Sequence, residues 1–279
     1  MTTHATTDSA GVVVTGAARG MGLACAQRLA GEGISLLVVD RDDAVHEVAG
    51  GLAGDVASVT CDVTDAGAVG ELARRVGALG ELGGLVHAAG VSPTMGDWRR
   101  MFTVDLVGTA LVVDALRPLA RVGAAAVCFA STAAHLLPEP AGHPLDAVID
   151  EPLAPDLLDR LLATAPDVVT DPGAAYSWAK RGVVRLVERE AAAWGASGAR
   201  INSVSPGIID TPMGRRELEH QPMMGMMLDY TPLARQGTAE DVASVVAFLL
   251  SDAAAYVTGT DVRVDGGVVP TLRRAMPAR

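Results

Sequence analysis

Lysine, cysteine and basic charge are all scarce in this sequence of 279 residues, and each scarcity excludes a class of protein. The three cysteines, Cys25, Cys61 and Cys128, are far apart and form no CxxC pair. Neither a disulfide framework nor a zinc site is indicated, and a reducing compartment fits. Lys and Arg together number 22 against 33 Asp and Glu, a net charge of −11, which argues against binding to nucleic acid.

Targeting and membrane-spanning patterns are also missing from the sequence. The first ten residues are polar and show no basic stretch followed by an apolar one, so they do not form a signal peptide. No uncharged apolar run reaches the roughly 18–20 residues that span a bilayer. We therefore expect a cytoplasmic protein without a nucleic-acid or membrane partner and without a metal site.

Only one of the 22 basic residues is a lysine, Lys180, and the other 21 are arginines. A retained lysine suggests a task that requires a compact ammonium group and not a planar guanidinium group. A lysine that is present by chance would give the same count, so the count does not decide between a functional lysine and a chance one.

Short apolar runs alternate with helical patterns along the chain. The runs are typical of buried parallel strands and lie at 11–15, 34–40, 56–62, 84–90, 124–131, 198–205 and 261–265. The alternation predicts an α/β fold with a three-layer, doubly wound parallel sheet of Rossmann type. No change in composition marks a second domain, so we expect a single domain over residues 1–279, with loose tails at about 1–9 and 271–279.

A segment rich in proline and acidic residues, at about 135–172, interrupts this alternation. Pro155 stands at a plausible first helical position, and leucines recur at helical spacing over 155–165. We interpret the segment as a long insertion that contains one short helix.

A glycine-rich segment at residues 15–22 lies between the first predicted strand and the first predicted helix. Glycines there allow a tight turn and a close approach to a pyrophosphate at a helix N-terminus. Asp40 ends the next strand, where a carboxylate accepts hydrogen bonds from ribose hydroxyls and repels a 2′-phosphate. Arg19 favours NADP, because a cation beside the glycines could meet the 2′-phosphate. The Asp40 carboxylate has the larger weight here, because it would be desolvated against the ribose. The pattern therefore predicts NAD, with a strand–turn–helix that binds no ligand as the alternative.

Tyr176 and Lys180 are four residues apart in a helical pattern, so their side chains share a face. A nearby ammonium group lowers the pKa of a phenol, which makes Tyr176 a candidate proton donor or acceptor. A partly buried helix face is the usual explanation of such a pair taken alone.

Several motifs appear in one order from Thr15 to Gly267, and with them the sequence resembles the short-chain dehydrogenase/reductase family, in its short single-domain branch. The motifs are TGAARGMG (15–22), Asp40, CDV (61–63), AAG (88–90), Ser131, YSWAK (176–180), RINSVSPG (200–207), TPM (211–213) and VDGG (264–267). The resemblance implies a Rossmann-type fold, a nicotinamide cofactor and hydride transfer to or from a carbonyl carbon.

The resemblance also implies roles for individual residues. Ser131 would polarise the substrate oxygen, Tyr176 would exchange its proton, and Lys180 would assist Tyr176 and bind the nicotinamide ribose. Ile208 and Thr211 would hold the nicotinamide carboxamide. The full set of expected cofactor-binding residues is Gly16, Arg19, Gly20, Met21, Gly22, Asp40, Asp62, Val63, Ala89, Gly90, Tyr176, Lys180, Pro206, Gly207, Ile208, Thr211 and Met213.

Three departures from the family pattern stand out. Asp105 occupies the position of a usual asparagine that anchors a water near the lysine, and its charge would offset the effect of Lys180 on Tyr176. Asp105 is therefore a fourth candidate catalytic residue, although an aspartate tied to backbone amides is an equal alternative. His87 replaces another frequent asparagine and is assigned no role.

The third departure is the gap of 45 residues between Ser131 and Tyr176. A similar gap occurs in the bacterial 3α-hydroxysteroid dehydrogenase/carbonyl reductase branch, which this sequence resembles. The insertion should lie either at the active site or across the face through which many relatives form dimers.

These features predict an NAD-dependent oxidoreductase that interconverts a secondary alcohol and a ketone, as a homo-oligomer (dimer or tetramer). Methionines at 213 and 223–227 favour an apolar, cyclic or aromatic substrate, while a hydrophobic helix packed on the core explains them nearly as well. A catalytically inactive NAD(H)-sensing protein is the alternative function. Enoyl reduction is disfavoured, because enoyl reductases of this superfamily space the tyrosine and lysine more widely.

Overall fold

The computed structural model describes residues 11–137 and 142–275, and a parallel sheet of seven strands forms its centre. Two further two-residue strands pair with each other beside this sheet. In chain order the strands are β1 (Val12–Thr15), β2 (Leu36–Asp40), β3 (Val56–Thr60), β4 (Leu82–His87), β5 (Ala120–Phe129), β6 (Arg200–Pro206), β7 (Ile209–Asp210), β8 (Gly237–Thr238) and β9 (Asp261–Val264).

Helices connect the strands and cover both faces of the sheet. In chain order they are α1 (Gly20–Gly31), α2 (Ala44–Gly51), α3 (Ala66–Leu79), α4 (Trp98–Met101), α5 (Thr109–Leu116), α6 (Pro144–Ile149), α7 (Leu157–Thr164), α8 (Pro166–Val169), α9 (Pro172–Ala196), α10 (Pro212–His220), α11 (Pro222–Asp229), α12 (Ala239–Leu250) and α13 (Val268–Ala275). A π-helical segment, Phe102–Gly108, joins α4 to α5.

The order of strands across the sheet is β3-β2-β1-β4-β5-β6-β9, and every neighbouring pair is parallel. The chain runs outward from β1 to β3 and then returns to β4 on the other side of β1. Because the connections diverge between β1 and β4, a crevice opens beyond the carboxyl ends of these strands. The cofactor motifs fall at this crevice.

Each strand sends alternate side chains to opposite faces, which explains why the strands are apolar throughout. Val13 packs against a core cluster that α3, α5 and α9 cover, whereas Val12 and Val14 belong to a second cluster under α1, α2 and α12. The predicted three-layer, doubly wound parallel sheet is therefore confirmed.

The insertion contains three short helices, α6, α7 and α8, so the expectation of one helix is wrong. Apolar side chains such as Leu145, Leu161 and Val169 join one buried cluster with the π-helical segment and α9, and Tyr176 packs against this cluster. The insertion thus lies across α9 and reaches Tyr176 from one side. Residues 138–141 of the insertion lie outside the described residues.

The tail expected to be loose from residue 271 is helical up to Ala275, because α13 buries Val268, Val269 and Leu272 against α11. The prediction for 271–275 is therefore wrong, and residues 1–9 and 276–279 lie outside the described residues. None of the helices in the described ranges has both the length and the apolar composition that a bilayer crossing requires.

Candidate active site

A cavity of about 280 Å³ opens at the crevice beyond β1, β2 and β4. Twelve of the predicted cofactor-binding residues line it: Gly16, Arg19, Gly20, Met21, Gly22, Asp40, Asp62, Val63, Ala89, Gly90, Thr211 and Met213. Residues far apart in the sequence therefore meet in one place. Ile208 instead lines a separate cavity of about 210 Å³, and Pro206 and Gly207 lie at the end of β6 beneath it.

The glycine loop leaves no space for side chains where it passes under the cavity. Gly16 has φ +68°, and a Cβ atom there would lie 2.6 Å from the backbone nitrogen of Ala89. A Cβ atom at Gly22, in the first turn of α1, would lie 2.2 Å from the carbonyl oxygen of Gly16. This bare backbone and the N-terminus of α1 fit the pyrophosphate of a dinucleotide.

The acidic end of β2 is held in a fixed position beside the cavity. Asp40 accepts hydrogen bonds from the backbone nitrogens of Ala18 and Asp42, each at 3.0 Å. Arg19 forms a salt bridge with Asp42. Its guanidinium group therefore has an acidic partner, so the cation that would favour a 2′-phosphate is partly neutralised.

Lys180 is buried between the cavity wall and the end of β5. Its Nζ atom donates to the carbonyl oxygen of Phe129 at 3.0 Å and lies 3.2 Å from Oδ1 of Asp105. The same Oδ1 atom accepts the backbone nitrogen of Val91 at 3.0 Å. Since Gly90 and Val91 line the cavity, the Lys180–Asp105 pair lies directly behind its wall.

Asp105 is fully buried and lies in the π-helical segment, and its Oδ2 atom has no hydrogen-bond partner among the described residues. Burial raises the pKa of its carboxyl group, while Lys180 and the Val91 nitrogen act against this rise. Asp105 contacts both Lys180 and a backbone amide, so this geometry is compatible with either alternative for Asp105.

Tyr176 and Ser131 form the second half of the catalytic cluster. A hydrogen bond joins their side chains, and Ser131 Oγ also accepts the nitrogen of Ala133 at 3.2 Å. Burial, followed by the negative charges of Glu217 and Asp105, raises the pKa of Tyr176 well above its usual range. The net shift of the Tyr176 pKa is therefore opposite in direction to the lowering expected from Lys180, whose Nζ atom lies 5.8 Å from the centroid of the Tyr176 ring.

His87 is fully buried at the end of β4, and its Nδ1 atom lies 2.9 Å from the hydroxyl of Thr15. Burial lowers its pKa to about 3, so the ring is neutral at physiological pH. This agrees with the assignment of no role to His87.

Two of the four methionines of α11 pack on the core, while Met223 is exposed. Met227 is buried, and Met224 packs against the same cluster as Val268 and Leu272. The interpretation of residues 223–227 as a wall over the substrate is therefore not supported, whereas Met213 does line the cavity.

Sequence reasoning missed Glu217 and its partner Ser92. Glu217 lies on α10, and burial together with the charge of Asp105 raises its pKa to about 7, while Lys180 and the Ser92 hydroxyl act against this rise. Helical spacing could have found it, because Glu217 follows the motif residue Met213 by four positions.

Comparison with known proteins gives consistent matches over nearly the whole chain. A family model described as enoyl-(acyl carrier protein) reductase matches residues 16–142 and 162–269. The chain is 33% identical over 270 residues to cis-4-hydroxycyclohexanecarboxylate dehydrogenase of Sinomonas cyclohexanicum, covering 91% of this chain and 94% of that protein. It is 30% identical over 274 residues to 3-alpha-hydroxysteroid dehydrogenase/carbonyl reductase of Comamonas testosteroni, covering 94% and 97%. A solved short-chain type dehydrogenase/reductase from Mycobacterium ulcerans matches with a TM-score of 0.74 and 27% identity over 95% of this chain and 93% of that one.

Proposed function

The chain belongs to the short-chain dehydrogenase/reductase family, and we propose that within it this protein interconverts a secondary alcohol and a ketone with NAD as cofactor. The proposal is carried by the cluster of Ser131, Tyr176 and Lys180, in which Lys180 lies behind the wall of a cavity that fits a dinucleotide. The relatives named above are dehydrogenases or reductases, and the four-residue spacing of Tyr176 and Lys180 disfavours enoyl reduction.

The side chains divide the reaction between them. When bound, the nicotinamide accepts or supplies the hydride. Ser131 holds the substrate oxygen, and Tyr176 takes the hydroxyl proton as the hydride leaves the carbinol carbon. Lys180 binds the nicotinamide ribose and contributes positive charge near Tyr176. Asp105 fixes the position of Lys180 through its Oδ1 atom.

NAD is the proposed cofactor because of the charges around the adenosine end of the cavity. Asp40 presents a carboxylate there, and Arg19 is paired with Asp42. Asp62 and Val63 would hold the adenine, and Ala89 and Gly90 would pack under the adenosine. Arg41 also lines this part of the cavity, so NADP belongs in the test as the competing cofactor.

The substrate that we propose has an apolar, cyclic body. Val91, Met95, Val104 and Met213 give the cavity an apolar wall, which excludes water from a ring of this kind. We also propose a cytoplasmic location, since Cys25, Cys61 and Cys128 are free and buried, and a homo-oligomer.

The test is turnover of apolar cyclic secondary alcohols with NAD or NADP, followed by the absorbance of the reduced cofactor. Tyr176→Phe should lower kcat/KM by roughly 100-fold or more, because the proton acceptor is lost. Tyr256→Phe is the matched control, since Tyr256 is fully exposed. Reduction of NADP in preference to NAD would overturn the choice of cofactor. Binding of NADH without turnover of any alcohol would favour the NAD(H)-sensing alternative.

A further inference from the structure

Helix α10 begins beside the glycine loop. A Cβ atom at Gly20 would lie 3.8 Å from the side chain of Thr211, which caps the N-terminus of α10. Both residues line the cavity, together with Met213 and Arg216 on the first turns of the helix. The start of α10 therefore borders the bare backbone of the glycine loop, where the pyrophosphate of a dinucleotide fits.

The side chain of Arg216 extends from α10 toward this end of the cavity. Met213 lies three positions earlier and lines the same cavity, as expected for residues that share a face of a helix. Arg216 follows Thr211 by five residues, which is about 7.5 Å along the helix axis. Because side chains of an α-helix lean toward its N-terminus, the long side chain of Arg216 leans back toward Thr211 and the glycine loop.

Arg216 has no acidic partner within the described ranges of the chain. No carboxylate there forms an ion pair with its guanidinium group, whereas the preceding residue, Arg215, pairs with Asp210. Glu217 is the next residue along the helix, and adjacent residues of a helix do not face each other. The positive charge of Arg216 is therefore free to attract an anion in the cavity.

The other charged side chains of the cavity favour one position for this anion. Asp40 and Asp62 present carboxylates at the adenosine end, and Arg41 follows Asp40 there. Arg19 already has an acidic partner. A dinucleotide carries its negative charge in the pyrophosphate, which lies between its adenosine and nicotinamide halves. Since an arginine binds phosphate oxygens through two parallel N–H donors, Arg216 complements the N–H groups of the glycine loop.

We propose that Arg216 binds the pyrophosphate of the dinucleotide and holds it against the glycine loop. The inference rests on the proposed function, of which it uses only the dinucleotide cofactor, and it adds a cofactor-binding residue that lies outside the sequence motifs. The glycine loop follows β1, whereas α10 follows β6 and β7. The pyrophosphate is thus contacted by segments from two distant parts of the chain.

The experiment measures the Kd of NADH and of two of its fragments, ADP-ribose and adenosine, of which only ADP-ribose contains the pyrophosphate. The fluorescence of NADH gives its own Kd, and displacement of NADH gives those of the fragments. We expect Arg216→Gln to raise the Kd of NADH and of ADP-ribose about tenfold, and that of adenosine by less than about twofold. Arg216→Lys keeps the charge without the parallel donors and should give intermediate values.

Salt gives a second readout, which a merely structural role of Arg216 would not change. Because Arg216 is exposed, dissolved ions screen its attraction to the pyrophosphate. From about 0.05 to 0.5 M NaCl, the Kd of NADH should rise more steeply for the wild type than for Arg216→Gln. Arg215→Gln is the matched control, because Arg215 is an exposed arginine of the same helix that does not line the cavity. Its Kd values and their dependence on salt should equal those of the wild type.

A Kd of ADP-ribose that Arg216→Gln leaves unchanged would overturn the inference while the proposed function stands. An equal rise in the Kd of adenosine would also overturn it, since Arg216 would then support the cavity as a whole. Failure of the proposed function is distinguishable, because NADH would bind while no alcohol is oxidised, and the comparison of Kd values does not depend on turnover. NADPH replaces NADH where it binds more tightly, and a wild type that binds neither overturns the inference.

Discussion

Asp105 brings a carboxyl group into contact with Lys180, and its charge raises the pKa of Tyr176. Asp105→Asn removes this charge while keeping the shape of the side chain. We therefore expect the rise of kcat/KM with pH, in the direction of alcohol oxidation, to move to lower pH. The measurement is a profile of kcat/KM from pH 5.5 to 10.

Asp114→Asn is the control for this profile, because Asp114 is an exposed acid on the neighbouring helix α5. Its profile should coincide with that of the wild type. A profile of Asp105→Asn that does not move would remove Asp105 from the proton exchange and leave it with the role of a structural contact.

Glu217 also affects the stability of the chain, because its pKa in the folded protein is about 7 against 4.5 for the unfolded chain. The folded state binds this proton more tightly, so the free energy of unfolding falls as pH rises from about 4.5 to about 7 and then stays level. Glu217→Gln has no carboxyl group at this position, so its free energy of unfolding does not fall for this reason as the pH rises. Its advantage over the wild type should be on the order of 1–3 kcal/mol at pH 8 and near zero at pH 4.5.

Urea denaturation at pH 4.5, 6 and 8 measures this difference. Other titratable groups interact with Glu217, namely Asp105, Lys180 and Tyr176, and Arg216 precedes it on the same helix. These groups are present in the wild type and in the variant. The difference in free energy of unfolding between the two proteins at each pH therefore excludes the titration of these groups. Glu219→Gln should show no such dependence on pH. An advantage of Glu217→Gln that is equal at all three values would show that the carboxyl group titrates normally.

The pair Arg19–Asp42 offers a test of the cofactor choice at single residues. Asp42→Asn keeps the acceptor for the backbone nitrogen of Ala44 but removes the charge that engages Arg19. We expect the ratio of kcat/KM with NADP to that with NAD to rise about two- to fivefold. Asp43→Asn, at the neighbouring exposed acid, should leave the ratio unchanged. A fall in the ratio would show that Arg19 does not approach the 2′-position.

At the scale of elements, the sequence predicted the strands and helices that a recurring residue pattern marks, such as an apolar run or a glycine-rich loop. The strand β1 begins within one residue of its predicted start, and the helix α1 begins within the glycine-rich segment that predicts it. Likewise, twelve predicted cofactor residues line one cavity, since their motifs end strands that share an edge of the sheet.

Other elements depend on contacts that are distant in the sequence. The π-helical segment around Asp105 shows no feature in the local sequence, and it is held by packing of Phe102 and Leu106. The three helices of the insertion are short, and their stability comes from burial against α9. Helical spacing from Met213 points to Glu217, but its electrostatic interaction with Tyr176 and Asp105 arises only in the folded chain.

The contact between the insertion and α9 gives a prediction at the same scale. Arg181 on α9 donates two hydrogen bonds to Asp146 on α6, at 2.7 and 3.0 Å. Asp146 is buried, which opposes its charge, yet hydrogen bonding to Arg181 lowers its pKa. Asp146→Asn leaves the guanidinium without its full partner and should lower the free energy of unfolding by about 1–3 kcal/mol.

Because the folded pKa of Asp146 is lowered, its contribution is fully present above the unfolded value of 3.8 and is lost only as pH falls through the folded pKa. The deficit of Asp146→Asn should therefore be constant from pH 5 to 8 in urea denaturation. Asp159→Asn, at an exposed acid of α7, should change the free energy of unfolding by less than about 0.5 kcal/mol. A deficit of that small size for Asp146→Asn would mean that the Arg181–Asp146 pair does not hold the insertion on α9.

At the scale of the whole molecule, the cavity borders both halves of one continuous sheet. The glycine loop and Asp40 come from the half with β1 to β3, whereas Gly90, Thr211 and Met213 follow β4 and β6 of the other half. A cofactor that binds there contacts both halves at once. Its binding energy should therefore stabilise the molecule as one cooperative unit, which is the behaviour expected of a single domain.

NAD at 100 times its Kd should raise the free energy of unfolding by about 2.7 kcal/mol, which for a chain of this size corresponds to about 5 °C in Tm. We expect one calorimetric transition that moves upward as a whole, and a smaller shift with NADP at the same concentration because Asp40 repels a 2′-phosphate. Two transitions of which NAD moves only one would contradict the single domain. An equal shift with both cofactors would instead show that the carboxylate of Asp40 does not discriminate between them.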